Sequence, residues 1–166
     1  MYVPFEQLPD DSRIWIFQSD KELTEKNIES ITPLLMYFIN DWTAHQQTLK
    51  ASFTFLHNYF IVIAVDENMT AASGCSIDKV YHVIRACGQL TGCDFFNRLR
   101  IAAMENNSIT TYSVNQILEK EESNPNNMTT LVFNNIIETK AAMEKDWLVP
   151  IKKSWLASKL KSGSKI

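Results

Sequence analysis

The longest unbroken apolar run in this sequence, Tyr59 to Val65, constrains the fold more than any other feature. It falls well short of the roughly 20 residues needed to cross a bilayer, so it reads as a strand. Ala51 to His57 precedes it in an alternating pattern with Phe53 and Phe55 on one face, and Asn58 separates the two. The pair predicts an antiparallel hairpin. Beyond it, Ala71-Ala72-Ser73-Gly74-Cys75-Ser76-Ile77-Asp78 joins this apolar strand to an amphipathic helix. Ser76 is placed to cap that helix, its inner stripe is Ile77, Val80, Tyr81, Ile84, Cys87 and Leu90, and Gly92 ends it.

The flanking segments extend the pattern. Arg13 to Gln18 is β-branched and aromatic on both faces, as a central strand would be. Ile28, Ile31, Leu34, Leu35, Phe38, Ile39 and Trp42 recur at steps of three and four, which predicts a helix capped by Thr24 and kinked or divided at Pro33. Arg98 to Met104 and Ile109 to Ser113 flank Asn106-Asn107, a pair that tolerates the positive φ of a tight turn, so a second hairpin is expected. Ser113 to Gln116 matches a capping box opening a short helix to about Glu122. Ser123 to Asn127 reads as a loop, Met128 to Phe133 as a strand and Asn135 to Trp147 as a helix. Val149-Pro150 then breaks the chain before a last segment carrying Trp155, Leu156 and Leu160. The order points to an α+β fold: a mostly antiparallel sheet built from two hairpins, with helices packed on one side.

Composition narrows the function classes. At 166 residues the chain fits one domain, taken as 1–160, followed by a mobile Lys-rich tail at 161–166. Net charge is −3, but Lys152, Lys153, Lys159, Lys161 and Lys165 lie in the last fifteen residues without an acid, leaving 11 basic and 19 acidic residues elsewhere. Such a body repels nucleic-acid phosphates, and no nucleic-acid partner is expected. The N-terminal stretch has early acids and no basic start before an apolar run, unlike a signal peptide, which favours a cytoplasmic protein without membrane contact. Cys75, Cys87 and Cys93 give an odd count without metal-like C-x-x-C spacing, so reduced thiols are expected and no metal.

The candidate chemistry gathers at the helix start. Backbone N–H groups there lack internal partners and favour a thiolate or a bound anion. Gly74 allows a ligand to approach the backbone, while Ser73 and Ser76 supply hydroxyls. Cys75 could act as a nucleophile if His45, His57 or His82 served as base, with Asp66 to orient it, although the Cys-His-Asp spacing matches no protease signature. The plainer reading makes Cys75 a buried filler of the strand-to-helix turn. His82 follows Asp78 by four residues and reads as an exposed pair, and His57 abuts a turn. His45 closes the long helix, where the helix dipole also accounts for it. Phe53, Phe55, Tyr59 and Phe60 could suggest a base-stacking platform, but the residues between them are not basic, and core packing is the better account.

Several motifs are absent. Gly74, Gly88, Gly92 and Gly163 provide no G-x-x-x-x-G-K-[ST] loop, so P-loop nucleotide hydrolysis is excluded. No dinucleotide fingerprint, nucleophile elbow or zinc motif occurs, and no cofactor is expected.

Trp42-Thr-Ala-His45, Leu49-Lys-Ala-Ser52, Val65-Asp-Glu67, Ala72-Ser-Gly-Cys-Ser-Ile-Asp78, Val132-Phe-Asn-Asn135 and the ending from Trp147-Leu-Val-Pro150 to Trp155 carry a resemblance that covers most of the chain, starting at Val3-Pro-Phe5 and Leu8-Pro-Asp10. It resembles an uncharacterised family of small bacterial proteins often labelled "ABC transporter ATPase", a label that the missing P-loop contradicts. The resemblance implies no activity or catalytic residue. It does imply that the His45 and Cys75 segments belong to one recurring pattern, and so share a pocket.

The expected function is therefore a binding module for a small anionic ligand or a peptide carboxylate at Ser73, Gly74, Cys75 and Ser76, with His45 nearby. The alternatives are a Cys75-dependent hydrolase or acyltransferase, and a homodimeric or adaptor protein using Trp147 and Trp155 without chemistry.

Overall fold

The computed structural model describes residues 1–123 and 130–160, and their elements form the expected α+β arrangement with antiparallel sheets. Strands β1 (Arg13–Gln18), β4 (Lys50–Leu56) and β5 (Phe60–Asp66) make one sheet in the order β1-β5-β4. The apolar strand β5 is the central one. Its residues Ile61, Ile63 and Val65 join a core with helices α1 (Glu25–Asp41) and α2 (Gly74–Thr91), while Val62 and Ala64 join Leu8, Ile14 and Met143 on the opposite face. Fully burying each Val or Ile contributes about 1.5–3 kcal/mol, which makes a strand apolar on both faces worth most in the middle. Arg13 to Gln18 is accordingly an edge strand rather than the central one expected, with Ile14 and Ile16 facing the second core and Trp15 and Phe17 the first.

The second hairpin seeds a separate sheet. β6 (Arg100–Glu105) pairs with β7 (Ser108–Ser113) and, on its other side, with β8 (Leu131–Phe133), which pairs with β9 (Leu148–Pro150). The expected break at Val149-Pro150 is thus a strand, and it sits at the sheet edge, where a residue without an N–H is tolerated. Helix α3 (Val114–Glu122) buries Ile117 against Ile101, Ala103 and Val132. The sheets meet through Phe60, Phe133 and Trp147, whose ring centroids lie 4.7–4.9 Å apart. Phe60 and Phe53 are buried as core residues.

Turn chemistry explains the connections. His57-Asn58 and Asn106-Asn107 have positive φ, as hairpin turns of this type require. A third such pair, His45 and Gln46, links two short strands, β2 (Thr43–Ala44) and β3 (Gln47–Thr48). The long helix therefore ends at Asp41, and His45 is at a hairpin tip rather than at a helix terminus. Helix α1 also runs through Pro33 without dividing. Pro33 is exposed, and the carbonyl it leaves without a donor, that of Glu29, belongs to an exposed residue that water reaches. Thr24 caps α1 in a capping box with Asn27, and Ser113 does the same for α3 with Gln116.

Downstream, residues 135–139 are not helical, and α4 spans only Lys140–Asp146 with Thr139 as its cap. The preceding residues are drawn to other partners. Glu138 accepts a hydrogen bond from Ile14 N, and Asn135 bridges the Gln18 and Trp147 side chains. Met143 of α4 packs on the face of the first sheet opposite α1 and α2. Lys140 is buried and donates to the carbonyls of Leu8 (2.7 Å) and Glu6 (3.3 Å), fixing the N-terminal segment. The loop expected at Asn124-Pro125, the strand start at Met128 and the tail at 161–166 lie outside the described residues.

Candidate functional site

The start of α2 differs from its expected form. Asp66 ends the apolar strand, and residues 67–73 intervene before the helix, so Cys75 is exposed rather than part of the core. Ser73, not Ser76, is the cap. Its hydroxyl oxygen accepts from Ser76 N at 3.2 Å, while the buried Ser76 hydroxyl donates to Ser73 O at 2.8 Å. The helix buries Ser76, Val80, Val83, Ile84 and Cys87, whereas Leu90 is exposed. Both serine hydroxyls are therefore spent on the cap, and the N–H groups of Gly74 and Cys75, both exposed residues, have no hydrogen-bond partner among the described residues. A Cβ added at Gly74 would meet nothing within 4 Å. Glu67 accepts from Ala72 N at 2.7 Å, which sets a carboxylate beside the place an anion would occupy.

His45 comes to the same end of the molecule, with no direct bond to that site. Trp42 Nε1 donates to Ser76 O at 2.9 Å, tying the end of α1 to the start of α2, and Thr70 bonds Gln47 of the β2–β3 hairpin. Among the described residues, no hydrogen bond, ion pair or ring contact links His45 to Ser73, Gly74, Cys75 or Ser76. Nor does any imidazole bond the Cys75 sulfur. His57 lies against Phe133 (5.4 Å) and Trp147 (5.7 Å), and His82 is exposed on α2. Among the described residues, no group of three or more His, Cys, Asp or Glu side chains could hold a metal ion.

The better-formed concavity is elsewhere. A cleft of about 630 Å³ runs along β1, walled by residues 95–101 and by Phe133 and 135–138, with Trp155 also in its lining. That volume is within the range of about 300–1,000 Å³ common to ligand sites. Its lining is aromatic, with Trp15, Phe17, Tyr81, Phe96 and Phe133 among the residues. Phe96 packs edge-on to Phe17 at 6.0 Å and lies 5.6 Å from the Arg85 guanidinium. Four large apolar side chains exposed to solvent, Phe96, Leu99, Ile136 and Trp155, border this one cleft. Exposed apolar groups gathered in this way mark binding surfaces more often than single ones do.

Charge distinguishes the cleft further. Arg13, Arg98 and Arg100 line it, with Glu138 the only acid, in a chain of net charge −3. Arg13 lies over the Trp15 ring (4.8 Å) and 3.9 Å from Glu67, and Arg100 Nε donates to Thr111. Arg98 has no ion-pair partner among the described residues. A guanidinium presented beside aromatic faces suits carboxylates, which it can grip through two parallel hydrogen bonds.

Apart from Trp155, an interface candidate, the cleft's residues carry no functional expectation from the sequence. Its signal is the stretch Phe95-Phe96-Asn97-Arg98-Leu99-Arg100, where aromatic and basic residues interleave just before a strand. Among the described residues, no helix is long and apolar enough to cross a membrane. No family model, curated protein or solved structure matches the chain.

Proposed function

We propose that this protein is a cytoplasmic binding module for a small anionic ligand or a peptide carboxylate, and that the ligand lies in the cleft along β1. The observation that carries the reading is the coincidence of three arginines with an aromatic-lined cavity of about 630 Å³ in an otherwise acidic chain. The helix start at Ser73–Ser76 is the weaker site, because its serines are engaged with each other and Glu67 adds negative charge there. The exposed Cys75 supports a hydrolase or acyltransferase less well, since a thiol nucleophile needs a base within reach. Trp155 keeps a dimer or adaptor role open at the cleft rim, while Trp147 is buried in the core.

Titration of isotope-labelled protein with phenylacetate, an aromatic carboxylate, tests the reading by NMR. Amide and indole shifts should concentrate at Trp15, Phe96, Arg98, Leu99 and Trp155. Shifts confined to Gly74 and Cys75 would move the site to the helix start, and an unchanged spectrum with phenylacetate and with acidic peptides alike would refute the binding function.

A further inference from the structure

We infer that the cleft takes an extended acidic peptide segment of a partner protein, added as a strand to the open edge of β1, a proposal that rests on the cleft being the ligand site. Alternate residues of an antiparallel strand direct their N–H and C=O to opposite sides. Ile14 N donates outward, away from β5, to Glu138 O at 2.9 Å, so Ile16 and Gln18 also direct their main-chain groups outward. Past the strand end, Asp20 N donates to Asp94 O at 2.9 Å. Both ends of this edge are thus taken. Between them, the N–H and C=O groups of Ile16 and Gln18 have no main-chain partner among the described residues, and they form the floor of the cleft.

Between its covered ends this edge carries no intrinsic blocking device. The strand Arg-Ile-Trp-Ile-Phe-Gln has no proline, lysine or bulge, and its register with β5 is unbroken from Arg13 to Gln18. Residues 95–101 and 135–138 flank it on the cleft, and a single extended segment is what the stretch between the Glu138 and Asp94 contacts would admit. From Ile14 to Asp20 the edge spans about 20 Å at roughly 3.3 Å per residue, enough for a segment of about five residues. Four main-chain hydrogen bonds would fix that segment to Ile16 and Gln18, the means by which strand addition gains affinity. Its alternate side chains would meet Phe17, Tyr81 and Phe96 on one face and Ile16 and Phe133 on the other. Arg13, Arg98 and Arg100 around the rim select acidic residues in the segment.

The test uses the full chain and a fluorescein-labelled, N-acetylated Glu-Val-Glu-Val-Glu amide, read by fluorescence anisotropy. Three probes accompany it: the same peptide with alternate amides N-methylated, its Lys-Val-Lys-Val-Lys counterpart, and phenylacetate as competitor. Saturable binding of the acidic peptide is expected, weakened at least tenfold by N-methylation in one of the two alternating sets and by Arg98→Glu, and absent for the basic peptide. Arg98 is exposed, so that variant should fold normally, which circular dichroism verifies. Equal binding of both N-methylated sets would overturn strand addition. Binding of phenylacetate to the cleft without any peptide binding would overturn the peptide ligand and leave the proposed function standing. Failure of all probes would bring down both, and concentration-dependent dimerisation that blocks the peptide would assign the edge to a second copy of this chain instead.

Discussion

Trp42 is the side chain through which the start of α2 depends on the end of α1, and replacing it with Phe should expose that dependence. It is 1% exposed, packs against Phe38 (5.2 Å) and Trp15 (6.0 Å), and donates its indole N–H to Ser76 O. Trp42→Phe removes that hydrogen bond, worth about 0.5–1.5 kcal/mol, the lower part of the range applying because a helical carbonyl keeps a second partner. It also removes two ring carbons, at about 0.8 kcal/mol for each buried CH2-sized group. The expected loss is therefore about 2–3 kcal/mol, or about 4–12 °C in Tm at the 2–4 °C per kcal/mol typical of domains this size. Urea unfolding followed by circular dichroism measures it, with Trp155→Phe as the control at a half-exposed position. Amides of the first turn of α2 should also exchange faster with deuterium, because the lost contact is local to Ser76. A Trp42→Phe loss no larger than that of Trp155→Phe would refute the reasoning.

Three further outcomes follow from buried and paired groups. In the folded protein iodoacetamide should label Cys75 alone, since Cys87 and Cys93 are buried and burial pushes the Cys87 thiol up to about 12; mass spectrometry after proteolysis reads the sites. Burial pushes the Glu105 carboxyl up, but hydrogen bonds from Lys120 and Tyr112 outweigh it and hold the group below its ordinary range, while the bond to Glu105 raises Lys120. The Glu105 contribution is thus full above the unfolded carboxyl value of about 4.3 and fades as pH falls through the lower folded value. That of Lys120 is full below about 10.4 and fades at higher pH. Glu105→Gln should cost about 0.2–1 kcal/mol at pH 7, given the exposure of Lys120, and nothing in strong acid, as urea midpoints across pH will report. Asn107→Val should destabilise the β6–β7 hairpin by about 1–2 kcal/mol, because a β-branched residue is strained at φ 63°, whereas Asn107→Gly should be close to neutral.

The elements most legible in the sequence are those whose signals are local. Thr24, Ser113 and Gly92 cap their helices as read, and the Asn106-Asn107 and His57-Asn58 turns sit where two polar residues interrupt alternating strands. Features set by distant partners depart from the local pattern. Nothing near Arg13 marks it as an edge, because its position follows from β5 being still more apolar. The helix expected from Asn135 starts only at Lys140, because Asn135 bonds the Gln18 and Trp147 side chains, Glu138 O accepts from Ile14 N, and three of residues 135–139 are β-branched. The cleft was hidden for the same reason. Its two walls and floor come from three segments far apart in sequence, whereas Ser73 to Cys75 form a contiguous stretch that attracts notice more easily.

The three positive-φ turns also have a kinetic consequence. A hairpin closed by so short a loop pairs within microseconds, and β4–β5, β6–β7 and β2–β3 all close in this way. Strand β1 instead pairs with β5 across residues 19–59, which hold the whole of α1 and the β4 strand, so its loop-closure entropy is compensated only after those parts have formed. β1 should therefore join late. Conservative core truncations in it, such as Ile14→Val, should speed unfolding while leaving the folding rate nearly unchanged, and the same truncation at Ile63 in β5 should slow folding. The strand that forms the floor of the cleft would then be the first to detach when the protein opens.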